Sequence, residues 1–200
     1  MTQLCSVDDI TNATREYTMD DAVSDTGLEP AMIKAIAEVE SKRAAFDKNG
    51  MPTILFEPHK FKKYSGGRYD KTHPHLSASS GFKYGLFRNQ RKKLAEAMSL
   101  DWYAAHMACS WGKYQIMGFN FKLAGFDSLQ SFIYAAHHSE GEHLRMLINF
   151  LINTGLIEHL KNLDFDKFSK GYNGKNYKQN RHARKMRAAY NKHKRLEAIA

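Results

Sequence analysis

The chain has 200 residues, of which 42% are hydrophobic and 12% aromatic, and this is enough for one well-packed core. Charged residues make up 26% and no segment is of low complexity, so the composition excludes a disordered or fibrous protein and predicts a single globular domain over residues 1–200. The net charge of +9 predicts attraction to a polyanion, which can be nucleic acid, lipid headgroups or an anionic cell envelope.

Helical patterns account for most of the chain, because apolar residues recur at one-face spacing and capping residues stand before several of the segments. The predicted helices cover residues 6–17, 20–24, 30–41, 90–98, 101–108, 140–154 and 177–196. We expect the helix that follows Ser139 to be the central buried helix, because its large aliphatic residues share one side. The predicted fold class is therefore mainly α.

A different pattern occupies residues 50–87. The run from Thr53 to Phe56 is β-prone and is bounded by Pro52 and Pro58, and a stretch rich in Gly, Ser, Tyr and His follows it. We interpret this region as a small β-hairpin with a long loop, and long loops in compact domains commonly wall a binding groove. A turn is predicted at residues 171–174.

The N-terminal residues 1–9 lack the basic start and the apolar core of a signal peptide, and no apolar run has membrane-spanning length. We therefore expect a product that is made and folds in the cytoplasm, without stable membrane insertion. Cys5 and Cys109 stand far apart and outside any Cys-x-x-Cys pattern, which predicts two free thiols. A catalytic thiol at Cys109, three residues after His106, is the less favoured alternative.

Glu40 occupies an unusual position in the helix predicted at residues 30–41. It lies on the same face as Ile33 and Ile36, whereas Glu38 points roughly to the opposite side. Burial favours the protonated form of a carboxyl group, as a general acid for glycosidic cleavage requires near neutral pH. From periodicity alone, a structural glutamate paired with an Arg or Lys side chain is the more common case.

Several motifs give this helix a context. Residues 35–41 read Ala-Ile-Ala-Glu-Val-Glu-Ser, residues 54–61 read Ile-Leu-Phe-Glu-Pro-His-Lys-Phe, residues 110–118 read Ser-Trp-Gly-Lys-Tyr-Gln-Ile-Met-Gly, and residues 172–174 read Tyr-Asn-Gly. In this order and spacing they resemble the phage-type N-acetylmuramidase family, over residues 4–194. The chain departs from the family at residues 42–45, Lys-Arg-Ala-Ala, where small residues and glycines are common, and this predicts a groove edge of different shape and charge.

The resemblance implies an α+β, lysozyme-like fold with one small β-hairpin lining the groove. It implies a hydrolase that cleaves the β-1,4 bond between N-acetylmuramic acid and N-acetylglucosamine in peptidoglycan. Glu40 is then the general acid, and Glu57, in its Phe-Glu-x-His context, is the base for the attacking water. A carboxyl separation of ~5 Å indicates a retaining route and ~6.5–9.5 Å an inverting one. We expect inversion, because Glu57 comes from a different element.

The candidate substrate-binding residues are His59, Ser110, Trp111, Tyr114, Gln115, Tyr172, Asn173 and Tyr177. Gln115 can hydrogen-bond an acetamido group or a sugar hydroxyl, while Trp111 and Tyr114 offer flat faces to sugar rings; plain core packing of Trp111 is an equal alternative. If the strand continues, His59 shares the face of Glu57, although a solvent-facing histidine is equally compatible. None of the ten histidines shows a metal-ligand spacing, so we predict no metal and no cofactor.

The densest charge feature is the basic run at residues 178–195, in the last predicted helix. A solvated helix face is the default interpretation, and the functional one is adhesion to an anionic cell envelope or to lipopolysaccharide. We expect this helix to lie outside the groove, because it lies outside the motifs that resemble the groove. It would then act on encounter with the envelope and not on bond cleavage.

A wall-degrading fold without an export signal resembles a phage endolysin, which is released from the host cytoplasm through membrane lesions made by a separate holin; a prophage origin is equally compatible. We expect a monomer whose partner is peptidoglycan and not nucleic acid. A lytic transglycosylase is the alternative within the fold, since it needs only the acid. A basic nucleic-acid-binding module and a non-enzymatic wall-binding domain are alternatives from other classes, and the presence of both Glu40 and Glu57 argues against the second.

Overall fold

A computed structural model describes residues 15–41, 43–79, 89–173 and 181–199 of the chain. The α-helices are α1 Met19–Thr26, α2 Pro30–Glu40, α3 Pro58–Tyr64, α4 Gln90–Leu100, α5 Trp102–Met107, α6 Leu129–Ala136, α7 Glu140–Asn153, α8 Ile157–Lys161, α9 Phe165–Asn173 and α10 His182–Glu197. Within the described ranges, no helix is long and apolar enough to cross a bilayer. The helix predicted at residues 6–17 lies almost entirely outside these ranges.

Local capping explains where several helices begin. The Ser139 hydroxyl accepts a hydrogen bond from the backbone N–H of Glu142 at 3.1 Å, and Ser128 does the same before α6. Pro30 occupies the first position of α2, where a missing N–H removes no helical hydrogen bond. Gly155 follows α7 with a φ of +70°, so the predicted stop after residue 154 is confirmed.

The sheet has three short antiparallel strands in the order β1-β2-β3. They are β1 Ile54–Phe56, β2 Cys109–Trp111 and β3 Ile116–Met117. The β-prone run is confirmed as a strand, but in the described residues 50–79 the predicted hairpin does not form, because β1 pairs with β2 in a register that sets Phe56 opposite Cys109. The hairpin is formed by β2 and β3, within the segment 110–118.

Two other segments differ from the sequence prediction. The expected long loop contains α3, because Glu57 acts as the N-terminal cap residue and Pro58 starts a helix. The turn predicted at residues 171–174 is, as far as Asn173, the last part of α9. Position 171 is occupied by glycine although it lies within a helix, because a β-carbon there would collide with Cδ2 of Leu156.

The buried apolar side chains form one core cluster that joins the helices to the sheet. Helix α2 contributes Ile33 and Ile36 from one side, and Glu40 continues the same buried side. Helix α10 buries a stripe that includes Met186 and Tyr190, and it makes its most extensive contact with α2. The predicted mainly α architecture with one small β element is confirmed.

His143 of α7 packs against the turn of the β2-β3 hairpin and connects it to the end of α6. Its Nε2 lies 2.8 Å from the carbonyl oxygen of Ala136, and its Nδ1 accepts a 3.3 Å hydrogen bond from the backbone N–H of Lys113. Burial lowers the pKa of His143, which keeps the ring neutral and Nδ1 free to accept. A β-carbon on Gly112 would lie 2.5 Å from two atoms of the ring, so glycine is required there for space as well as for its φ of +70°.

We therefore expect Gly112→Ala to lower the free energy of unfolding by about 2–5 kcal/mol, since a left-handed alanine costs about 1–2 kcal/mol and an overpacked contact about 1–3 kcal/mol. The matched control is Gly155→Ala, where φ is also +70° but no atom lies within 4 Å of the added carbon. Its loss should be about 1–2 kcal/mol, from the backbone alone. Urea unfolding of both variants measures the difference, and equal losses would mean that the His143 ring moves aside freely.

Candidate active site

A cavity of about 550 Å³ lies between the sheet and the helices. It is lined by Glu40, Arg43, Leu55, Glu57, Lys60, Ser110, Tyr114, Gln115, Ile116, Met117, Phe119, Asn120, Phe150, Tyr172 and Asn173. The set combines two carboxylates, two cations and several aromatic rings, which is the mixture of polar and flat apolar groups that a sugar chain requires. We call this space the cavity.

Glu40 is the last residue of α2, and only 7% of its surface is exposed. Glu38 is exposed on the other side of the helix, where it pairs with Lys192 and His193. The helical phase inferred from the sequence is therefore the observed one. The buried carboxylate has a histidine as a partner: Nε2 of His182 lies 2.5 Å from Glu40 Oε1.

Glu57 reaches the cavity from the junction between β1 and α3. Its backbone N–H donates to the carbonyl oxygen of Ala108 at 3.0 Å, which extends the β1-β2 pairing by one residue and fixes the junction. Burial raises the pKa of the Glu57 carboxyl group, while the nearby charge of Lys60 opposes this shift. Two carboxyl groups from different elements thus line one cavity.

His59 is placed differently from the sequence expectation. The strand ends at Phe56, so His59 lies in the first turn of α3 and not on a continued strand face. Its Nε2 is 3.4 Å from Glu57 Oε2, and burial lowers the pKa of its ring. His59 does not line the cavity, and its position beside Glu57 favours an orienting role over direct contact with a sugar.

Ser110 and Gln115 both line the cavity, but their side chains bond to each other across the β2-β3 hairpin. The Ser110 hydroxyl donates to Gln115 Oε1 at 2.8 Å. Gln115 Nε2 in turn donates to the carbonyl oxygens of Gly112, at 2.7 Å, and Thr53, at 3.2 Å. Gln115 also has a φ of +54°, which costs energy for a residue with a side chain. The amide therefore ties the hairpin to the residue before β1, and this placement favours a supporting role.

Tyr114 and Trp111, the two aromatic residues of the same motif, lie in different surroundings. Tyr114 lines the cavity, and burial raises the pKa of its hydroxyl to about 12. Trp111 is 2% exposed and does not line the cavity; its ring stacks on His106 with centroids 5.6 Å apart, and its Nε1 donates to the carbonyl oxygen of His106. This placement favours the core-packing alternative for Trp111.

Tyr172 and Asn173 close the side of the cavity formed by α9. The Tyr172 ring packs against Phe150 and Phe168, and burial, followed by the charge of Glu40, raises the pKa of its hydroxyl well above the ordinary value. Asn173 Nδ2 is buried and has no hydrogen-bond partner among the described residues, so this donor can meet a ligand. Tyr177, the third residue expected on this side, lies outside the described residues.

Other residues that line the cavity were not predicted. Arg43 belongs to the segment where the chain departs from the family pattern, and its position in the lining agrees with a changed charge at the groove edge. Lys60 extends its ammonium group over the Phe119 ring, 4.8 Å from the ring centre. Lys60 lies within the motif at residues 54–61 and Arg43 stands two residues after the motif at 35–41, and this closeness to the motifs is the signal that locates them.

In the described part of the chain the last helix contributes no residue to the cavity lining, which agrees with the expectation that it lies outside the groove, but it does contact the acidic residue of the cavity. His182 is the first residue of α10, and it contacts the buried carboxylate of Glu40. In the sequence this histidine is concealed within the basic run. A signal was nevertheless present, because residues 182, 186 and 190 follow the spacing of one buried helical stripe.

Cys109 stands in the middle strand with no exposed surface, and burial raises the pKa of its thiol far above the usual range. Both facts argue against the alternative of a catalytic thiol. In the described part of the chain, no group of three or more His, Cys, Asp or Glu side chains is arranged to hold a metal ion.

A family model for N-acetylmuramidase matches residues 29–194, which include both carboxylates, the hairpin and most of α10. The chain belongs to the N-acetylmuramidase family. Its fold is accordingly lysozyme-like, and the protein is a glycoside hydrolase that cleaves peptidoglycan. This muramidase is similar to the crystal structure of the Burkholderia AP3 phage endolysin, with 30% identity and a TM-score of 0.83, over 90% of this chain and 70% of that one. No curated protein matches the chain.

Proposed function

We propose that this muramidase hydrolyses the β-1,4 bond between N-acetylmuramic acid and N-acetylglucosamine, with Glu40 as the general acid and Glu57 as the base. The supporting observation is that the two carboxyl groups line the same cavity from different elements and in different surroundings. Glu40 is buried at the end of α2, and Glu57 is half-buried at the junction of β1 and α3. Two carboxyl groups in unlike environments can take the opposite parts of acid and base.

In the proposed reaction, Glu40 gives its proton to the glycosidic oxygen as the bond to the anomeric carbon breaks. Glu57 takes a proton from a water molecule, whose oxygen forms the new bond to that carbon. We infer an inverting course, because a base from a separate wall leaves space for this water, whereas a nucleophile must stand closer, at ~5 Å from the acid. Asn173 supplies a free donor for an acceptor group of the sugar.

A lytic transglycosylase remains the second candidate within the fold, and it needs only the acid. The position of Glu57 favours hydrolysis, since a transglycosylase has no use for a second carboxylate in the cavity. The products separate the two reactions. Hydrolysis gives reducing ends, whereas a transglycosylase gives 1,6-anhydro-muramic acid, and mass spectrometry of digested sacculi distinguishes them.

We further propose an endolysin role, in which one catalytic unit, acting as a monomer, remains in the host cytoplasm until it is released to the cell wall. The likeness to a phage endolysin supports this role. The exposed cations of α10 are proposed to bind the anionic envelope or lipopolysaccharide. Arg184, Arg187 and Arg195 are all exposed along this helix.

The first prediction concerns the acid. Glu40→Gln should abolish nearly all lysis of outer-membrane-permeabilised cells, because the amide has no proton to give, and it should leave the thermal unfolding temperature close to wild type. Glu38→Gln is the matched control on the same helix. It loses only exposed ion pairs, which contribute about 0–1 kcal/mol each, and should retain activity. An inactive Glu38→Gln together with an active Glu40→Gln would show that the acid is Glu38 and not Glu40.

The second prediction concerns the base. Glu57→Gln should lower kcat by about 100-fold or more with little change in KM, because only the activation of water is lost. Since burial raises the pKa of Glu57, the acid limb of the wild-type kcat/KM profile should lie above the usual glutamate value of about 4.3, and it should vanish in the variant. Azide rescue with a product of the opposite anomeric form would identify a nucleophile instead.

The third prediction concerns the basic face of α10. Replacing Arg184, Arg187 and Arg195 with Gln should weaken binding to sacculi at low ionic strength several-fold, and the loss should fade as salt screens the charges. Turnover of short soluble glycan chains should not change, because these side chains are exposed and lie outside the cavity lining.

The control is a variant with Gln at Lys48, Lys71 and Lys122, three exposed cations on other elements. It has the same net charge as the arginine variant. If it loses sacculus binding to the same extent, the total charge of the protein and not the surface of α10 is responsible for adhesion.

A further inference from the structure

Glu40 is the first of three buried polar side chains that are linked by hydrogen bonds. His182 is 3% exposed, its Nε2 is 2.5 Å from Glu40 Oε1, and its Nδ1 is 2.8 Å from Ser169 Oγ. Ser169 is fully buried in α9. The three groups come from α2, α10 and α9, so the hydrogen bonds link three helices at the point where the acid is placed.

The ring of His182 is held from several directions. Tyr172 stacks on it with centroids 6.2 Å apart and 12° between the planes, and Phe168 packs at 6.0 Å. Arg181, just before the ring, has a left-handed φ of +49°, a strained conformation that the surrounding packing must maintain. Met186, one turn further along α10, is fully buried and anchors the helix. The imidazole is therefore fixed in both position and orientation.

We propose that His182 is a positioning residue for Glu40, and that Ser169 selects its tautomer. The Ser169 hydroxyl donates to Nδ1, which leaves the ring proton on Nε2, and Nε2–H donates to Glu40 Oε1. The acidic proton of Glu40 is then carried by Oε2, the oxygen that His182 does not occupy and that remains for the substrate. This inference rests on the proposed role of Glu40 as the acid.

The same hydrogen bond becomes stronger as the reaction proceeds. The Oε2–H bond breaks and the proton passes to the glycosidic oxygen. The bond from that oxygen to the anomeric carbon also breaks, and its electron pair stays on the leaving oxygen. Glu40 becomes a carboxylate, so the Nε2–H···Oε1 hydrogen bond gains a charged acceptor, and the gain is largest when the proton leaves. His182 itself neither gains nor loses a proton.

In the described part of the chain, other titratable or charged groups line the two cavities that border this pair. They include Glu38 on α2, Tyr172 on α9, Lys185 on α10, and Glu57, Arg43 and Tyr114 in the wall of the cavity. Glu38 is held on the outer side by Lys192 and His193. A change in the pH profile after substitution of His182 must therefore be compared with variants that leave these groups in place.

The test compares His182→Phe, which keeps a flat ring but has no donor, with His182→Gln, whose amide can donate from the position of Nε2. For the phenylalanine variant we expect kcat on soluble glycan chains to fall on the order of 10- to 100-fold with KM unchanged. The alkaline limb of its kcat/KM profile should move to higher pH, because the ionised carboxylate has lost a donor. His182→Gln should recover much of kcat and return the limb towards its wild-type position.

Ser169→Ala tests separately whether Ser169 selects the tautomer of His182. This variant keeps the proposal testable if His182→Phe does not fold. Without the hydroxyl, the ring proton can move to Nδ1, and Nε2 then draws the acidic proton of Glu40 away from the substrate. We expect kcat to fall several-fold with little change in the thermal unfolding temperature. Lys194→Gln is the control for the docking of α10, since it removes only the exposed pair with Glu29, and its pH profile should match wild type.

Two outcomes would overturn the proposal. One is a folded His182→Phe with wild-type kcat and an unmoved alkaline limb; the other is a loss of kcat that is equal at all pH values and is not recovered by His182→Gln, which marks a purely structural role. Glu40→Gln, assayed in parallel, separates this failure from that of the proposed function. If Glu40→Gln is inactive while His182→Phe has normal activity, the assignment of Glu40 as the acid is retained and only the positioning role of His182 is refuted.

Discussion

A carboxyl group at the end of an apolar helix has to be removed from water without being left unpaired, since an unpaired buried charge is among the costliest features that a fold can contain. In this muramidase, Glu40 is stabilised by His182, and His182 is in place only when α10 is docked on α2. Exposed ion pairs such as Lys34–Glu197 border this interface, but such pairs contribute little. The buried stripe of α10 provides the main stabilisation, so the hydrophobic packing of α10 on α2 also holds the imidazole of His182 beside Glu40.

The sheet wall of the cavity is held in place by hydrogen bonds and not by hydrophobic packing. The β2-β3 hairpin has only two residue pairs in its ladder, too few for independent stability, and side-chain bonds compensate for this. Gln115 connects the hairpin to Thr53, just before β1, and His143 supports its turn from below. The neutral His143 ring suits this place because Nδ1 must accept a hydrogen bond. Hydrogen bonds thus position the sheet wall, whereas hydrophobic packing positions the helical wall.

Much of the site could be predicted from short-range pattern. The spacing of apolar residues in α2 is local, and it gave the correct side for Glu40; the motif around Glu57 likewise identified a residue of the cavity. Strand pairing could not be found in this way, because β1 pairs with a strand more than fifty residues away, and nothing in residues 50–87 encodes that register. Trp111 shows a different limit, which concerns the direction of a side chain and not distance along the sequence. Its hydrophobic character was evident, but whether its ring faces the cavity or the core depends on where His106 lies.

The contact between Glu40 and His182 joins residues that are 142 positions apart in the chain. Contacts of such long range form late in folding, because the loop between them has to be ordered first. During synthesis, a ribosome-bound chain that ends before α10 already carries Glu40 and Glu57, but it has no imidazole to pair with Glu40. The arrangement therefore delays the Glu40–His182 contact until almost all of the matched domain has left the ribosome, so that unfinished chains lack this contact.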